Sequence, residues 1–218
     1  ELASLSLTTP DKVFVTGEGI DHARREIQSA NHAFAPHYLA YLGSAYPHKC
    51  LDMLLDAWKA LAPRYPQHHL LLAGELDVFM KRVQERIRLE AIPRARCLDT
   101  MGNEEVLSFL HGADGFVFPS AYEGFGLPPL EALAQGTPVI SSDSSCLPEV
   151  LPKEGVFFFR DGDVRDMMRA MEACLADPQA ARASVGPRVQ QHLLTYTWHT
   201  AAKATFLAYR HAVPSRVS

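Results

Sequence analysis

Phe116-Val117-Phe118-Pro119-Ser120-Ala121-Tyr122-Glu123-Gly124-Phe125-Gly126-Leu127-Pro128-Pro129-Leu130-Glu131-Ala132-Leu133-Ala134-Gln135-Gly136-Thr137-Pro138-Val139-Ile140-Ser141-Ser142 is the stretch whose reading decides the fold. The apolar run 116–118 stops at Pro119, which predicts a strand buried on both faces entering a loop. That loop carries a carboxylate, Glu123, and two glycines around Phe125. Pro128 and Pro129 suit the first turn of a helix, where a missing N–H has no partner to lose. Leu130, Leu133 and Ala134 give the helix an apolar stripe, Gly136-Thr137-Pro138 stops it, and Val139-Ile140 opens the next strand. A strand-loop-helix-strand unit of this kind presents the N–H groups of Phe125, Gly126 and Leu127 at a helix N-terminus, which favours anions and electron-rich hydroxyls. Gly124 and Gly126 allow a ligand close to the backbone.

Two carboxylates, Glu123 and Glu131, flank the helix start. From the residues alone two readings stand for each. Glu131 complements the helix dipole, worth about 0.3–1 kcal/mol, or it meets a ligand; Glu123 is a solvated loop residue, or it does the same.

Outward from this stretch, strand-like and helix-like segments alternate. A strand is expected over 37–42, a loop over 43–48, and a helix over 49–62 with Leu51, Leu54, Leu55, Trp58 and Leu61 on one face. A second strand is expected over 69–73. Asp77 is placed to cap a helix over 78–91, where Phe79, Val83 and Ile87 recur every fourth residue. A short strand over 96–98 and a helix over 103–111 capped by Asn103 lead into the opening stretch. Beyond it come a short helix over 146–151, a buried strand over 156–159, helices over 163–176 and 178–196, and a terminal helix over 198–211. A further strand is expected over 12–16, followed by a turn at Gly17-Glu18-Gly19-Ile20-Asp21. Gly17-x-Gly19 is not a dinucleotide fingerprint, since the third glycine is missing.

This alternation implies an α/β fold: a Rossmann-like parallel sheet of about six strands with helices on both faces, joined by right-handed crossovers. The domain is expected over 37–196, with 1–36 as a linker or tail and 197–218 as a terminal helix and tail. Ligands on such sheets bind at the carboxyl ends of the strands, where the strand order reverses.

With 218 residues, 47% of them hydrophobic, the chain can bury one substantial core. A formal charge of −4 argues against nucleic acid as the main partner, and no run approaches the roughly 20 apolar residues of a membrane span. Cys50, Cys97, Cys146 and Cys174 are scattered without paired spacing, as reduced thiols of a cytoplasmic protein would be. None of the ten histidines falls in an H-E-x-x-H motif or stands with cysteines at ligand spacing, so no metal site is expected. The chain opens on Glu1 without a signal-peptide pattern, consistent with a fragment.

Gly43-Ser44-Ala45-Tyr46-Pro47-His48-Lys49-Cys50 follows the first expected strand. Lys49 there is a point charge for a diphosphate at a helix start, or a solvated lysine.

Glu123-Gly-Phe-Gly-Leu-Pro-Pro-Leu-Glu131-Ala-Leu-Ala-Gln-Gly-Thr-Pro-Val-Ile resembles the E-x7-E signature of the family 4 retaining glycosyltransferases of the GT-B fold. Gly17–Asp21 partly resembles that family's N-G-[IV]-D element, with Glu18 for the asparagine, and 43–50 resembles its G-x-x-x-P-x-K-[GN] element. The resemblance covers roughly residues 12–210 and implies the C-terminal, donor-binding half of a GT-B protein. It implies transfer of a hexose from a nucleoside-diphosphate sugar, GDP- or UDP-linked, to a glycan or lipid-linked acceptor, with anomeric retention. The resemblance implies that no cofactor or metal would be required. The acceptor would be held by an N-terminal domain outside this chain, and the chain alone would transfer little.

Carried over by position, Glu123 would contact donor-sugar hydroxyls and Lys49 the diphosphate, these two being the catalytic candidates. Glu131 would accept from the ribose diol, and the amides of Phe125, Gly126 and Leu127 would hold sugar or phosphate. Ser44 and His48 stand where the family usually has an arginine. Glu75, after Gly74, falls near the nucleotide base or is an exposed turn residue. Ser120 and Tyr122 line the same loop, and Asp143 and Glu149 follow it as ambiguous candidates. The protein would be cytoplasmic, with peripheral attachment at the inner membrane face as a variant. The alternative is a non-catalytic nucleotide-sugar-binding or interaction module. An epimerase or phosphorylase fragment fits less well, since those lack the full Gly-Phe-Gly-Leu-Pro-Pro-Leu-Glu pattern.

Overall fold

The computed structural model of the chain describes residues 9, 12–25 and 34–212. Six strands run parallel in one sheet: β1 (Tyr38–Leu42), β2 (His69–Ala73), β3 (Ala95–Leu98), β4 (Gly115–Phe118), β5 (Val139–Ser142) and β6 (Val156–Phe159). Their order is β3-β2-β1-β4-β5-β6. The chain therefore builds outward from β1 to β3, returns to lay β4 beside β1, and continues outward the other way.

The connecting helices are α1 (Leu51–Leu61), α2 (Val78–Leu89), α3 (Asn103–Gly112), α4 (Leu127–Ala134), α5 (Leu147–Val150) and α6 (Val164–Leu175). Three more, α7 (Pro178–Ala183), α8 (Pro187–Leu193) and α9 (Trp198–Ala212), complete the described chain. Among the described residues no helix is long and apolar enough to cross a membrane.

Strand alternation divides the core into two layers. Leu39, Tyr41, Leu70, Leu72, Val117 and Ile140 point to one face, where α1 and α6 cover them with Leu54, Leu55, Trp58, Met167 and Met171. Tyr38, Ala40, Leu71, Ala73, Phe116, Phe118 and Val139 point to the other, beneath Phe109, Leu130, Leu133 and Val189 of α3, α4 and α8. Each fully buried large apolar side chain contributes about 1.5–3 kcal/mol. Two polar groups of the interior are paired with backbone carbonyls: Trp58 Nε1 donates to Pro93 O at 2.8 Å, and Thr137 Oγ1 to Leu110 O at 2.6 Å.

The structure departs from the sequence reading in places, each for a local reason. Residues 13–20 form no strand, because the sheet edges are β3 and β6 and no strand among the described residues lies beside this segment to pair with it; Val15 is 91% exposed. The helix expected from residue 49 starts at Leu51, after a 3-10 turn at Pro47–Lys49 and a left-handed Cys50 (φ 51°). The cap of α3 is Gly102, whose carbonyl accepts from Val106 N at 2.9 Å, so Asn103 is already helical. The single helix expected over 178–196 is two, since Pro187 cannot continue a helix and holds Gly186 extended. Asp77 does cap α2, its Oδ1 accepting from Phe79 N and Met80 N at 2.9 and 2.8 Å.

Of the expected linker 1–36, residues 1–8, 10–11 and 26–33 lie outside the described residues, as do 213–218 of the tail. The described piece around Ile20 belongs to the packed unit. Ile20 and Ala23 are fully buried, Ile20 N donates to Tyr196 O at 3.1 Å, and Asp21 Oδ2 accepts from Trp198 N at 2.7 Å at the start of α9.

At the carboxyl edge, Gly43 N donates to Ala73 O at 3.0 Å, bringing the ends of β1 and β2 together. A Cβ on Gly74 would overlap the Gly43 carbonyl and touch Met80, whereas one on Gly102 would meet nothing within 4 Å. Gly74→Ala is therefore expected to cost about 1–3 kcal/mol through overpacking, and Gly102→Ala much less. Equal midpoints for the two variants in urea unfolding would contradict the close approach.

Candidate active-site crevice

The reversal of strand order between β1 and β4 opens a crevice at their carboxyl ends. Two loops form it: 43–50 after β1 and 119–126 after β4. They are joined through the backbone, since Ala121 N donates to His48 O at 2.8 Å. They are also joined through side chains, since Lys49 Nζ donates to Glu123 Oε1 at 2.6 Å. That ion pair is 16% and 12% exposed at its two side chains, and the ammonium lies 5.5 Å from the centre of the Phe118 ring. The carboxylate and the lysine singled out from separate stretches of sequence thus meet across the switch point.

Tyr41 braces the first loop by donating its hydroxyl to Ser44 O at 2.6 Å. Burial, and after it the Glu123 carboxylate, push the Tyr41 phenol well above its ordinary range, so it remains a donor. Ser44 is half-buried, and His48 is exposed with its ring stacked on Tyr46. Glu75 is exposed just past β2, next to the Gly43–Gly74 contact.

The second loop is held from beneath by serines that the sequence reading did not single out. Ser142 Oγ donates to Ser120 O at 2.6 Å, Ser144 Oγ to Ala121 O at 2.5 Å, and Ser145 Oγ to Glu123 O at 2.9 Å. Cys146 Sγ adds a contact to Glu123 O at 3.3 Å. Burial raises the thiol pKa of both Cys146 and Cys50, so neither is set up as a thiolate nucleophile. The sequence signal for this support was the serine-rich run Ser141-Ser142-Asp143-Ser144-Ser145 across the end of β5. Asp143, in the same run, accepts from Asp161 N at 3.0 Å, and Glu149 is exposed.

Gly126 turns the loop into α4 with φ 91°, and a Cβ there would also press on Leu147 at 2.8 Å. Phe125 directs its ring away from the loop into an edge-to-face contact with Tyr196, 5.4 Å between centroids, leaving its backbone as the part a ligand could use. Pro128 and Pro129 occupy the second and third helical positions, so Leu127 carries the first helical N–H. Ser120 is buried, with its hydroxyl unpartnered among the described residues. Tyr122 is exposed.

Glu131 lies past the first turn of α4, where a dipole role is weaker. Its Oε1 is 2.7 Å from Nε2 of His22. One turn on, Gln135 donates to Ala23 O at 2.5 Å, so residues 22–25 are strapped along one face of α4. Neither His22 nor Gln135 was visible as a site residue, because the partners are more than a hundred residues apart.

Residues 36–177 match the family model described as glycosyl transferases group 1. The chain is 30% identical over 199 residues to glycogen synthase of Mycobacterium tuberculosis, covering 91% of this chain and 48% of that protein. It is 33% identical over 179 residues to O-antigen chain mannosyltransferase B of Escherichia coli, covering 78% and 40% respectively. The structure of HepE from Anabaena, in complex with UDP and glucose, matches with a TM-score of 0.70 at 16% identity, over 91% of this chain and 54% of that one. The chain spans about half the length, or somewhat less, of these curated relatives.

The half-buried Lys49–Glu123 pair has a measurable consequence without any ligand. Lys49→Ala and Glu123→Ala each strand a charge, so each single variant should lose more stability than its share of the double variant. A double-mutant cycle in urea is expected to give a coupling of about 1–2 kcal/mol. A coupling within the few tenths typical of independent sites would show that the two side chains do not act as a pair.

Proposed function

The chain belongs to the group 1 glycosyltransferases, GT-B in fold, and from that premise we propose that it is the donor-binding domain of a family 4 retaining hexosyltransferase. The whole protein would move a hexose from a nucleoside-diphosphate sugar to a hydroxyl of a glycan or lipid-linked acceptor. The observation that carries this reading is the Lys49–Glu123 pair at the β1/β4 switch point, beside the left-handed Gly126 and the start of α4. The UDP and glucose in HepE support a nucleotide-sugar donor of the same kind.

Lys49 supplies the positive charge for the diphosphate leaving group. Glu123, once released from Lys49, accepts hydrogen bonds from sugar hydroxyls, and the amides of Phe125 to Leu127 complete the cradle. Glu131 accepts from the ribose diol with Oε2, its other oxygen being held by His22. Ser44 and His48 replace a family arginine with neutral or titratable donors, so Lys49 carries a larger share of phosphate binding. Catalysis is positioning and charge stabilisation at the leaving group. The acceptor wall comes from a second domain, and this chain alone does not transfer.

Calorimetry with UDP, GDP, ADP and the bare nucleosides tests the donor role. Lys49→Ala is expected to weaken the preferred diphosphate by about 1.5–3 kcal/mol, the worth of a hydrogen bond to a charged group, and to spare the nucleoside. Equal losses for both would remove Lys49 from the phosphate site. Glu131→Ala is expected to weaken nucleoside and diphosphate alike by about 1–3 kcal/mol; unchanged affinity would take Glu131 out of the ribose subsite. Robust sugar transfer by the isolated chain would overturn the assignment of the acceptor wall to another domain.

A further inference from the structure

The amino-terminal edge of the sheet, opposite the crevice, carries a second cluster of chemistry-bearing side chains. His37 immediately precedes β1, His68 precedes β2 and Asp114 precedes β4. The register brings them close: Tyr38 pairs with His69, which puts His37 beside His68, and Leu39 pairs with Gly115, which puts Asp114 beside Tyr38, one residue along from His37, at the amino ends of three adjacent strands. The backbone fixes this alignment, with His69 N donating to His37 O at 3.0 Å and Asp114 N to Tyr38 O at 2.8 Å.

Asp114 Oδ2 lies 3.3 Å from His37 Nδ1 and 3.5 Å from His68 Nε2. One donor atom from each residue falls within 4.8 Å of the others, the only such group of three among the described residues. Ligand atoms bound at about 2.0–2.1 Å to a tetrahedral ion stand about 3.3 Å apart, so the two His–Asp separations match a shared ion. Among the described residues Nε2 of His68 is buried without a hydrogen-bond partner, an orphan ligand atom beside a carboxylate oxygen. The His68 ring is oriented edge-on by Tyr65, 5.7 Å between centroids at 88°. Asp114 Oδ2 is positioned by Tyr38 N at 3.2 Å. The His37 side chain is 51% exposed, which leaves room for solvent to complete the coordination.

We propose that His37, His68 and Asp114 form a divalent transition-metal site, of the kind Zn²⁺ occupies, tying together the amino ends of β2, β1 and β4. Two imidazoles and one carboxylate suit Zn²⁺, Co²⁺ or Fe²⁺; the nitrogen ligands disfavour Mg²⁺ and Ca²⁺, which take oxygen. The site is separate from the donor crevice, because β1 has five residues between them and spans roughly 16 Å. Its role is structural: an ion bound to the folded sheet and not to the unfolded chain raises stability by mass action. It stands whether or not the donor-site reading does.

The test uses the untagged chain, stripped with a chelator and titrated with Zn²⁺ alone by calorimetry near neutral pH. Co²⁺ serves as a spectroscopic probe of the ligand set. One equivalent is expected to bind, with a rise in Tm that EDTA reverses. His37→Ala and His68→Ala should each weaken binding by at least the roughly 10–100-fold that loss of a mere outer-shell partner costs, while His199→Ala should leave it unchanged. Should His68→Ala fail to fold, His37→Ala, at an exposed position, decides the matter. Absence of stoichiometric binding would overturn the proposal, and so would binding that survives both substitutions, since the ion would then be held by surface histidines elsewhere.

Discussion

Everything described here hangs on the short ladder between β1 and β4. Only Leu39↔Gly115 and Ala40↔Phe116 define it, yet it is the seam at which the sheet reverses its strand order. The seam is tight at Gly115. A Cβ there would come within 2.9 Å of Cys174 Sγ and 3.0 Å of a Leu39 methyl, so a larger residue would require these side chains of α6 and β1 to shift. Shifting the pairing by one residue would turn Phe116 and Phe118 from the layer under α3 and α4 to the layer under α1 and α6. It would also part the 43–50 loop from the 119–126 loop. The core and the crevice are therefore consequences of one register.

From that register the crevice gains stiffness cheaply. The carbonyls of Ser120, Ala121 and Glu123 are taken by three serine hydroxyls, Ser142 at the end of β5 and Ser144 and Ser145 in the loop after it. Each such bond is worth about 0.5–1.5 kcal/mol net. Their larger effect is to fix the loop's backbone, which sets where Ala121 N meets His48 O and where the Glu123 side chain meets Lys49. Phe125 anchors the same loop sideways on Tyr196, and Tyr196 O in turn holds Ile20 N at 3.1 Å. The N-terminal segment, the candidate loop and the start of α9 are thus one mechanical unit.

Legibility in the sequence followed locality. The six strands, the Asp77 cap and the proline-led start of α4 are written in a few consecutive residues each, and so could be read. Glu123 and Lys49 could be singled out one at a time, but their direct contact depends on the β1–β4 seam. His22 on Glu131 depends on a turn that carries almost no periodicity of its own. The strand expected over 12–16 failed for the complementary reason: alternation says a segment could pair, and only the sheet says whether a partner is there. The histidine cluster escaped motif reading because its members come from three separate stretches, the segment leading into β1 and the ends of two crossovers, which the sheet brings close together.

The Lys49–Glu123 pair also constrains how a donor could enter. Two opposite charges 2.6 Å apart and mostly shielded from water neutralise each other. A diphosphate approaching Lys49 must therefore compete with a carboxylate already in contact, and an additional cation would lower that barrier. Ser44 and His48 supply no permanent charge at the positions where an arginine would stand. Under the proposed donor role, binding is then an exchange: the phosphate takes the ammonium, and Glu123 is left with unsatisfied acceptor capacity in a poorly hydrated position. A hexose hydroxyl delivered by the same ligand is the nearest donor to satisfy it. Such an exchange couples the two ends of the substrate, since a nucleoside diphosphate without its sugar would leave the freed carboxylate unpaired. The pair then discriminates for the intact sugar nucleotide over its hydrolysis product, without any residue touching both.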